Sequence, residues 1–223
     1  MTGRDEVYET IRVREGRIPF LAEHLARLGA GAAELGIRVA PGLDERIRAA
    51  AATPELVLRV TVATESERIE PRPVPTERLV RIVIASLHHA PYRLKTTHRE
   101  TFERARAEAV RRGANEAVLL TADGLLAEGT ITAVTFWDGA LCLPDLALGI
   151  LPSIGRARLI ALAREAGMAV RTGNWTRGDW VGKPLLLVNS VRGMMEAETL
   201  EGQVLPRAPA LGSLVSRFWP STP

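Results

Sequence analysis

Two hydrophobic periods alternate along this 223-residue chain, and only a fold built from both strands and helices accommodates them. In Val7-Tyr8-Glu9-Thr10-Ile11-Arg12-Val13 the period is two. Val7, Glu9, Ile11 and Val13 share one side and Tyr8, Thr10 and Arg12 the other, as in a strand. A turn at Glu15-Gly16 and a short strand ending at Phe20 follow. Leu21, Leu25, Leu28, Ala32 and Leu35 then recur at helical spacing, and Gly36 ends the helix. A shorter helix is expected after Pro41-Gly42 to about residue 52, then strands over 56–63, 67–72 and 79–86. The first half therefore reads as helices packed on an antiparallel sheet.

His88-His89-Ala90-Pro91-Tyr92 reads as a connection, which sets a small α+β subdomain over residues 1–88 and a larger one over 92–223. In the larger one a helix is expected over 99–112, with strands near 117–121, 125–127 and 131–137. A second helix opens at Leu151-Pro152-Ser153-Ile154-Gly155-Arg156 and stops at Gly167. Strands at 168–171 and 185–189 and a last helix near 208–218 complete the chain. The fold class is α+β in two subdomains.

Composition narrows the partners. With 46% hydrophobic and 25% charged residues the chain has the balance of a folded protein. No apolar run is long enough to span a bilayer, and Met1-Thr2-Gly3-Arg4-Asp5-Glu6 is polar where a signal peptide is apolar. The expectation is a cytoplasmic protein with no membrane partner. Net charge is only +3, opposite charges alternate from Arg99 to Glu108, and aromatics are 4%, so no nucleic-acid surface is expected. Cys142 is the lone cysteine, which excludes an intrachain disulfide and a cysteine-built zinc cluster. His88, His89 and His98 have no acidic or cysteine partner at ligand spacing, so no metal is expected.

Of the 29 lysines and arginines only Lys95 and Lys183 are lysines. Lysine, unlike arginine, loses its proton readily enough to act as an amine nucleophile or base. Lys183 stands in the turn Gly182-Lys183-Pro184, where a solvated side chain is the simpler reading. Lys95 is left for amine chemistry. Other residues hold more than one reading each. Arg59 interrupts the apolar strand Leu56-Val57-Leu58-Arg59-Val60-Thr61-Val62; it binds an anion from the interior, forms an internal salt bridge, or points to water from an edge strand. The start of the helix at Ile154 and Gly155 offers free amides to an anion, or is an ordinary helix start capped by Ser153. Val188-Asn189-Ser190-Val191-Arg192-Gly193 is a strand end that either touches a ligand or simply turns. Glu128, between two strands, reads by default as a surface hairpin carboxylate.

Taken in order these segments resemble the class IV aminotransferase family. The likeness runs through Val7-Tyr8-Glu9-Thr10, Phe20-Leu21-Ala22-Glu23-His24-Leu25, Leu58-Arg59-Val60-Thr61, Leu94-Lys95-Thr96-Thr97-His98-Arg99, Asn115-Glu116-Ala117, Glu128-Gly129-Thr130, Leu148-Gly149-Ile150-Leu151-Pro152-Ser153-Ile154-Gly155 and Val188-Asn189-Ser190. It implies a fold-type IV architecture like that of D-amino acid aminotransferases, with the N-terminal strand pair truncated, and pyridoxal 5'-phosphate as cofactor. It implies that Lys95 joins the cofactor as a Schiff base and serves as catalytic base. It places Glu128 at the pyridine nitrogen, and Arg59, Ile154, Gly155 and Ser190 at the phosphate. It turns Tyr8, Thr10 and Arg12 toward the substrate, and assigns His24 and Arg27 to packing. The Lys95-to-Arg99 run and the Asn189-to-Gly193 run are more similar to 4-amino-4-deoxychorismate lyases than to branched-chain aminotransferases. The resemblance thus implies a small-molecule amino substrate, pyruvate elimination giving 4-aminobenzoate, and a homodimer. The alternatives are an amino acid aminotransferase and a non-catalytic homologue.

Overall fold

The computed structural model describes residues 6–220, which divide into two compact units. The first unit runs to Thr76 and takes in Leu94–His98. Its elements are β1 (Glu6–Val13), α1 (Leu21–Glu34), α2 (Leu43–Ala50), β2 (Leu56–Ala63) and β3 (Ser66–Arg72). The strands form one antiparallel sheet in the order β1-β2-β3. Alternation divides its faces as the sequence does. Val7, Ile11 and Val13 with Leu56, Leu58, Val60 and Val62 bury against Leu21, Leu28 and Ala32 of α1 and Leu43 and Ile47 of α2. Each such valine, leucine or isoleucine contributes about 1.5–3 kcal/mol on full burial. The opposite face carries Tyr8 across from Thr61, Thr10 across from Arg59, and Arg12 across from Val57.

The free edge of β1 takes up the segment Leu94–His98. Tyr8 N donates to the Lys95 carbonyl at 2.9 Å, Thr97 N donates to the Glu6 carbonyl at 3.2 Å, and Val7 bridges to Thr96. The short strand expected before Phe20 does not form. Arg14 and Arg17 make only an isolated bridge, and Phe20 sits at φ 61, a left-handed conformation that stops a strand and opens α1.

The second unit comprises residues Glu77–Arg93 and Arg99 onward. It contains β4 (Arg81–His88), α3 (Glu100–Arg111), β5 (Glu116–Leu120), β6 (Leu126–Gly129), β7 (Ala133–Trp137), β8 (Leu141–Pro144), α4 (Ile154–Glu165), β9 (Val170–Gly173), α5 (Arg177–Trp180), β10 (Leu185–Asn189), β11 (Gly193–Glu196), β12 (Thr199–Leu200), β13 (Gln203–Val204) and α6 (Pro209–Ser216). Two five-stranded sheets form, ordered β13-β12-β4-β5-β6 and β11-β10-β7-β8-β9. The strand expected over 79–86 was grouped with the antiparallel sheet of the first half. It is instead β4, paired in parallel with β5 and β12. Its inner residues explain the difference, for β4 and β5 bury both faces. Ile82, Ile84 and Val118 join Phe136, Leu185 and Leu187 of the other sheet, whereas Val83, Ala117 and Leu119 pack on Phe102, Ala105 and Ala109 of α3. No helix among the described residues is long and apolar enough to cross a membrane.

One acid stands on the apolar face of the first sheet. Glu9 is fully buried, with Oε2 accepting from His24 Nδ1 at 2.7 Å and Oε1 from Arg27 Nε at 2.6 Å. Burial pushes its carboxyl up, but the hydrogen bonds and charges of His24 and Arg27 outweigh it and hold the group at about 2, below the ordinary 4.5. A carboxyl lowered on folding stabilises above its unfolded value and loses that contribution as pH falls toward the folded one. The three-residue cluster therefore contributes roughly 3 kcal/mol at neutral pH, lost between about pH 4.5 and pH 2. Urea unfolding of Glu9→Gln at pH 7 should show a loss of about 3–5 kcal/mol, shrinking toward pH 3. A variant as stable as the parent at pH 7 contradicts this account.

Candidate active site

In the first unit the polar face of β1 and β2 collects cations around one aromatic ring. Arg59 lies on the central strand, half-buried, with its Cζ 3.2 Å from the centroid of the Tyr8 ring. The reading of Arg59 as an edge residue pointing to water is thereby corrected; β2 has a neighbour on each side, so its arginine faces the sheet's polar surface. Lys95 Nζ stands 4.6 Å from the same centroid, on a half-buried side chain. Tyr8 itself is 4% exposed, so one ring is shared by two cationic side chains at close range. Lys183, by contrast, pairs with Asp138 at 2.7 Å on an exposed surface, as its turn suggested.

Arg12 continues the same face, with Thr10 half-buried beside it. Its side chain is 9% exposed, and Nη2 donates to Glu55. Its Nη1 is buried and has no hydrogen-bond partner among the described residues. Burial pulls this guanidinium below its ordinary value, against the pull of Glu55 in the other direction. Even so, arginine stays charged at any ordinary pH. A buried charged donor without an acceptor costs free energy that an incoming anion recovers.

The second unit carries the acid. Glu128, on β6, has a side chain only 9% exposed, so the default reading of a surface hairpin carboxylate is corrected. His89 Nε2 and the Leu151 amide both donate to its Oε1, at 2.9 and 3.2 Å. Among the described residues Oε2 receives no hydrogen bond. The turn after β6 is fixed by another acid, Glu116, which is fully buried. Its Oε1 accepts from the amides of Ala117 and Thr130 at 2.9 and 3.0 Å and from Thr130 Oγ1. Its Oε2 accepts from Ile131 N at 3.2 Å and Thr132 Oγ1 at 3.0 Å. A Cβ on Gly129 would overlap Thr132 Oγ1, so only glycine follows Glu128 here. Arg99, over the rings of Tyr92 and Phe102, donates to the Thr130 carbonyl.

Helix α4 begins nearby in the chain. Ser153 caps it, its side chain accepting from Arg156 N at 3.3 Å, as the plainer of the two expectations held. The amides of Ile154 and Gly155 come first in the helix, where no helical carbonyl precedes them to accept. Gly155 sits in the first turn of α4. A Cβ there would stand 3.0 Å from Asn189 Cα and Val188 Cγ2, so the glycine lets α4 press against the end of β10. Ser190 follows there, half-buried. Its turn is set by Asn189, whose Oδ1 accepts from the amides of Val191 and Arg192 at 3.0 and 2.8 Å.

Sequence reasoning missed two residues. His89 was weighed only as a metal ligand, and no cluster able to hold a metal exists among the described residues. Its partner lies 39 positions away, so no spacing reveals the pair. Glu116 was quoted within a motif and given no role, although an acid opening an otherwise apolar strand, Glu116-Ala117-Val118-Leu119-Leu120, already signals a buried and satisfied carboxylate.

Comparison with known proteins adds four findings. Residues 6–199 match the family model for class IV amino-transferases. An aminodeoxychorismate lyase of Bacillus subtilis (strain 168) is 29% identical over 119 residues, which is 52% of this chain and 40% of that protein, so the chain matches less than half of the curated relative's length. A crystal structure provisionally described as 4-amino-4-deoxychorismate lyase is 30% identical, with TM-score 0.84, covering 99% of this chain and 92% of that one. The branched-chain aminotransferase of Thermoproteus uzoniensis, solved with norvaline, shares the fold at TM-score 0.85 and 23% identity, covering 96% of this chain and 84% of that one.

Glu116→Ala should strip five donors of their acceptor at once. The expected loss is on the order of 3–5 kcal/mol in urea unfolding, because each buried unsatisfied donor costs about 1 kcal/mol or more. A loss under about 1 kcal/mol contradicts the role given to Glu116 in fixing the turn after β6.

Proposed function

The chain belongs to the class IV aminotransferase family of pyridoxal-phosphate-dependent enzymes, and on that premise we propose that it is a 4-amino-4-deoxychorismate lyase. The reaction releases pyruvate and leaves 4-aminobenzoate. The observation that carries this assignment is the buried, unpartnered Nη1 of Arg12 on the strand face that also bears Tyr8 and Thr10, which suits a substrate carboxylate. The likeness at 30% identity over 99% of the chain favours the lyase over a transaminase. So do the runs from Lys95 to Arg99 and from Asn189 to Gly193.

The side chains suit pyridoxal 5'-phosphate. Glu128, with Oε1 engaged and Oε2 open, is the acceptor for a protonated ring nitrogen. Arg59 and Ser190 and the first amides of α4, from Ile154 and Gly155, are donors of the kind a phosphate takes. Lys95 supplies the amine that holds the aldehyde carbon.

When bound, pyridoxal phosphate supplies an electron sink for the carbanion at the substrate's amine-bearing carbon. Glu128 Oε2 keeps a proton on the ring nitrogen, which deepens that sink. Arg12 holds a substrate carboxylate through Nη1 and thereby orients the amine-bearing carbon, with Tyr8 and Thr10 lining the same face. Lys95 Nζ removes the proton from that carbon. The electron pair left on the substrate expels the three-carbon unit as its enolate, breaking the bond from the substrate's ring carbon to the ether oxygen, and the substrate ring becomes aromatic. Lys95 returns the proton to the methylene carbon of the departing unit, so 4-aminobenzoate and pyruvate form with no co-reactant.

The test offers the holoenzyme aminodeoxychorismate with no keto acid present. Equal amounts of pyruvate and 4-aminobenzoate are expected. Lys95→Ala should lower the rate at least about a hundredfold, and Arg12→Ala should raise KM about tenfold. Activity that appears only with an amino donor and a keto acid would replace the lyase with a transaminase. Protein that stays colourless with added cofactor would leave a non-catalytic homologue.

A further inference from the structure

His89 immediately follows β4. Its amide donates to the Leu120 carbonyl at 2.7 Å, which carries the β4–β5 pairing one residue beyond the strand and fixes the backbone. The ring is edge-on to Phe102, with centroids 5.9 Å apart and planes at 79°. Its side chain is 1% exposed, and Nε2 reaches Glu128 Oε1 at 2.9 Å. An imidazole held by its backbone, by an aromatic edge and by one polar partner has little freedom to turn. The Leu151 amide meets the same oxygen at 3.2 Å from another direction. Two donors on one oxygen fix the torsion of a carboxylate and so decide where its other oxygen lies.

We propose that His89 is a positioning residue: its Nε2–H locks the Glu128 carboxylate through Oε1, so that Oε2 is presented to the ring nitrogen of the cofactor. This rests on the assignment of Glu128 to that nitrogen under Proposed function. The His89 contact joins two residues 39 apart in sequence, within one unit, and both side chains are withdrawn from water. With the histidine donor gone, only one amide would hold Oε1, and the carboxylate could rotate to satisfy itself elsewhere. The cost would fall on cofactor binding, where the nitrogen loses a fixed acceptor.

A pair of amide substitutions separates reach from mere polarity. Glutamine places its Nε2 about as far from Cβ as histidine does, whereas the asparagine nitrogen stops short of Oε1. Cofactor-free protein is titrated with pyridoxal 5'-phosphate, following visible absorbance, in the parent, His89→Gln and His89→Asn, and with each repeated in a Glu128→Ala background. His89→Gln should bind within about twofold of the parent, and His89→Asn about tenfold more weakly, the worth of one hydrogen bond to a charged group. In the Glu128→Ala background the asparagine substitution should cause no further loss, because the residue acts only through that carboxylate. If His89→Asn does not fold, His89→Phe, which fills the space without a donor, takes its place. Equal binding by the glutamine and donor-less variants, or a loss that persists without Glu128, overturns the role of His89 alone. A parent protein that takes up no cofactor overturns the assignment of Glu128 as well.

Discussion

Everything ascribed to Lys95 depends on a short stretch of main-chain pairing. Residues 94–98 are far from β1 in sequence, yet the Tyr8 amide holds the Lys95 carbonyl and the Glu6 carbonyl holds the Thr97 amide. These bonds are indifferent to side chains, so they fix the backbone at Lys95 whatever the lysine does. Side-chain alternation in β1 then puts Tyr8 on the face away from α1, and Arg59 across the sheet lies on its ring. An amine and a guanidinium are thus gathered at one ring by sheet geometry and not by mutual attraction, which between like charges does not exist. Apolar burial beneath, from Val7, Ile11 and Val13 against α1 and α2, supports the arrangement.

Most of the secondary structure was legible because the hydrophobic periods are clean. The strand 56–63 and the strand 185–189 coincide with β2 and β10, since each is a mostly apolar run between turn signals. The strand before Phe20 was misread because a positive φ at a non-glycine residue leaves no mark in composition. Elements of two to four residues, such as β11, α5 and β12, are too short to show a period at all. The partner of β4 was misjudged for another reason. Period shows that a strand exists but not which neighbour it takes, and a strand buried on both faces gives no alternation to betray its sheet.

Among the candidate site residues, those on regular elements could be ordered into faces from sequence alone, as with Tyr8, Thr10 and Arg12. What could not be read was satisfaction. Arg12 and Arg59 look alike in sequence, one mid-strand arginine each. Arg12 keeps a buried nitrogen without a partner, whereas Arg59 stacks on an aromatic ring. That difference arises from Glu55 and Tyr8, residues whose proximity only the folded chain decides. His89 is the sharper case, since neither it nor Glu128 carries any local signal of the other.

Three buried carboxylates show how satisfaction separates structure from chemistry. Glu9 has both oxygens taken, by His24 and by two nitrogens of Arg27. Glu116 has both taken as well, by three amides and two hydroxyls. Each carboxylate oxygen accepts about two hydrogen bonds, so these groups have little capacity left for a ligand and act as internal ties. Glu128 is less completely buried, its side chain 9% exposed, and its donors converge on one oxygen. Its Oε2 is not among the buried polar atoms left without a partner, so it keeps access to solvent and remains able to accept a donor. Unequal occupation of the two oxygens, more than burial or charge, therefore sets Glu128 apart from the two internal ties, Glu9 and Glu116.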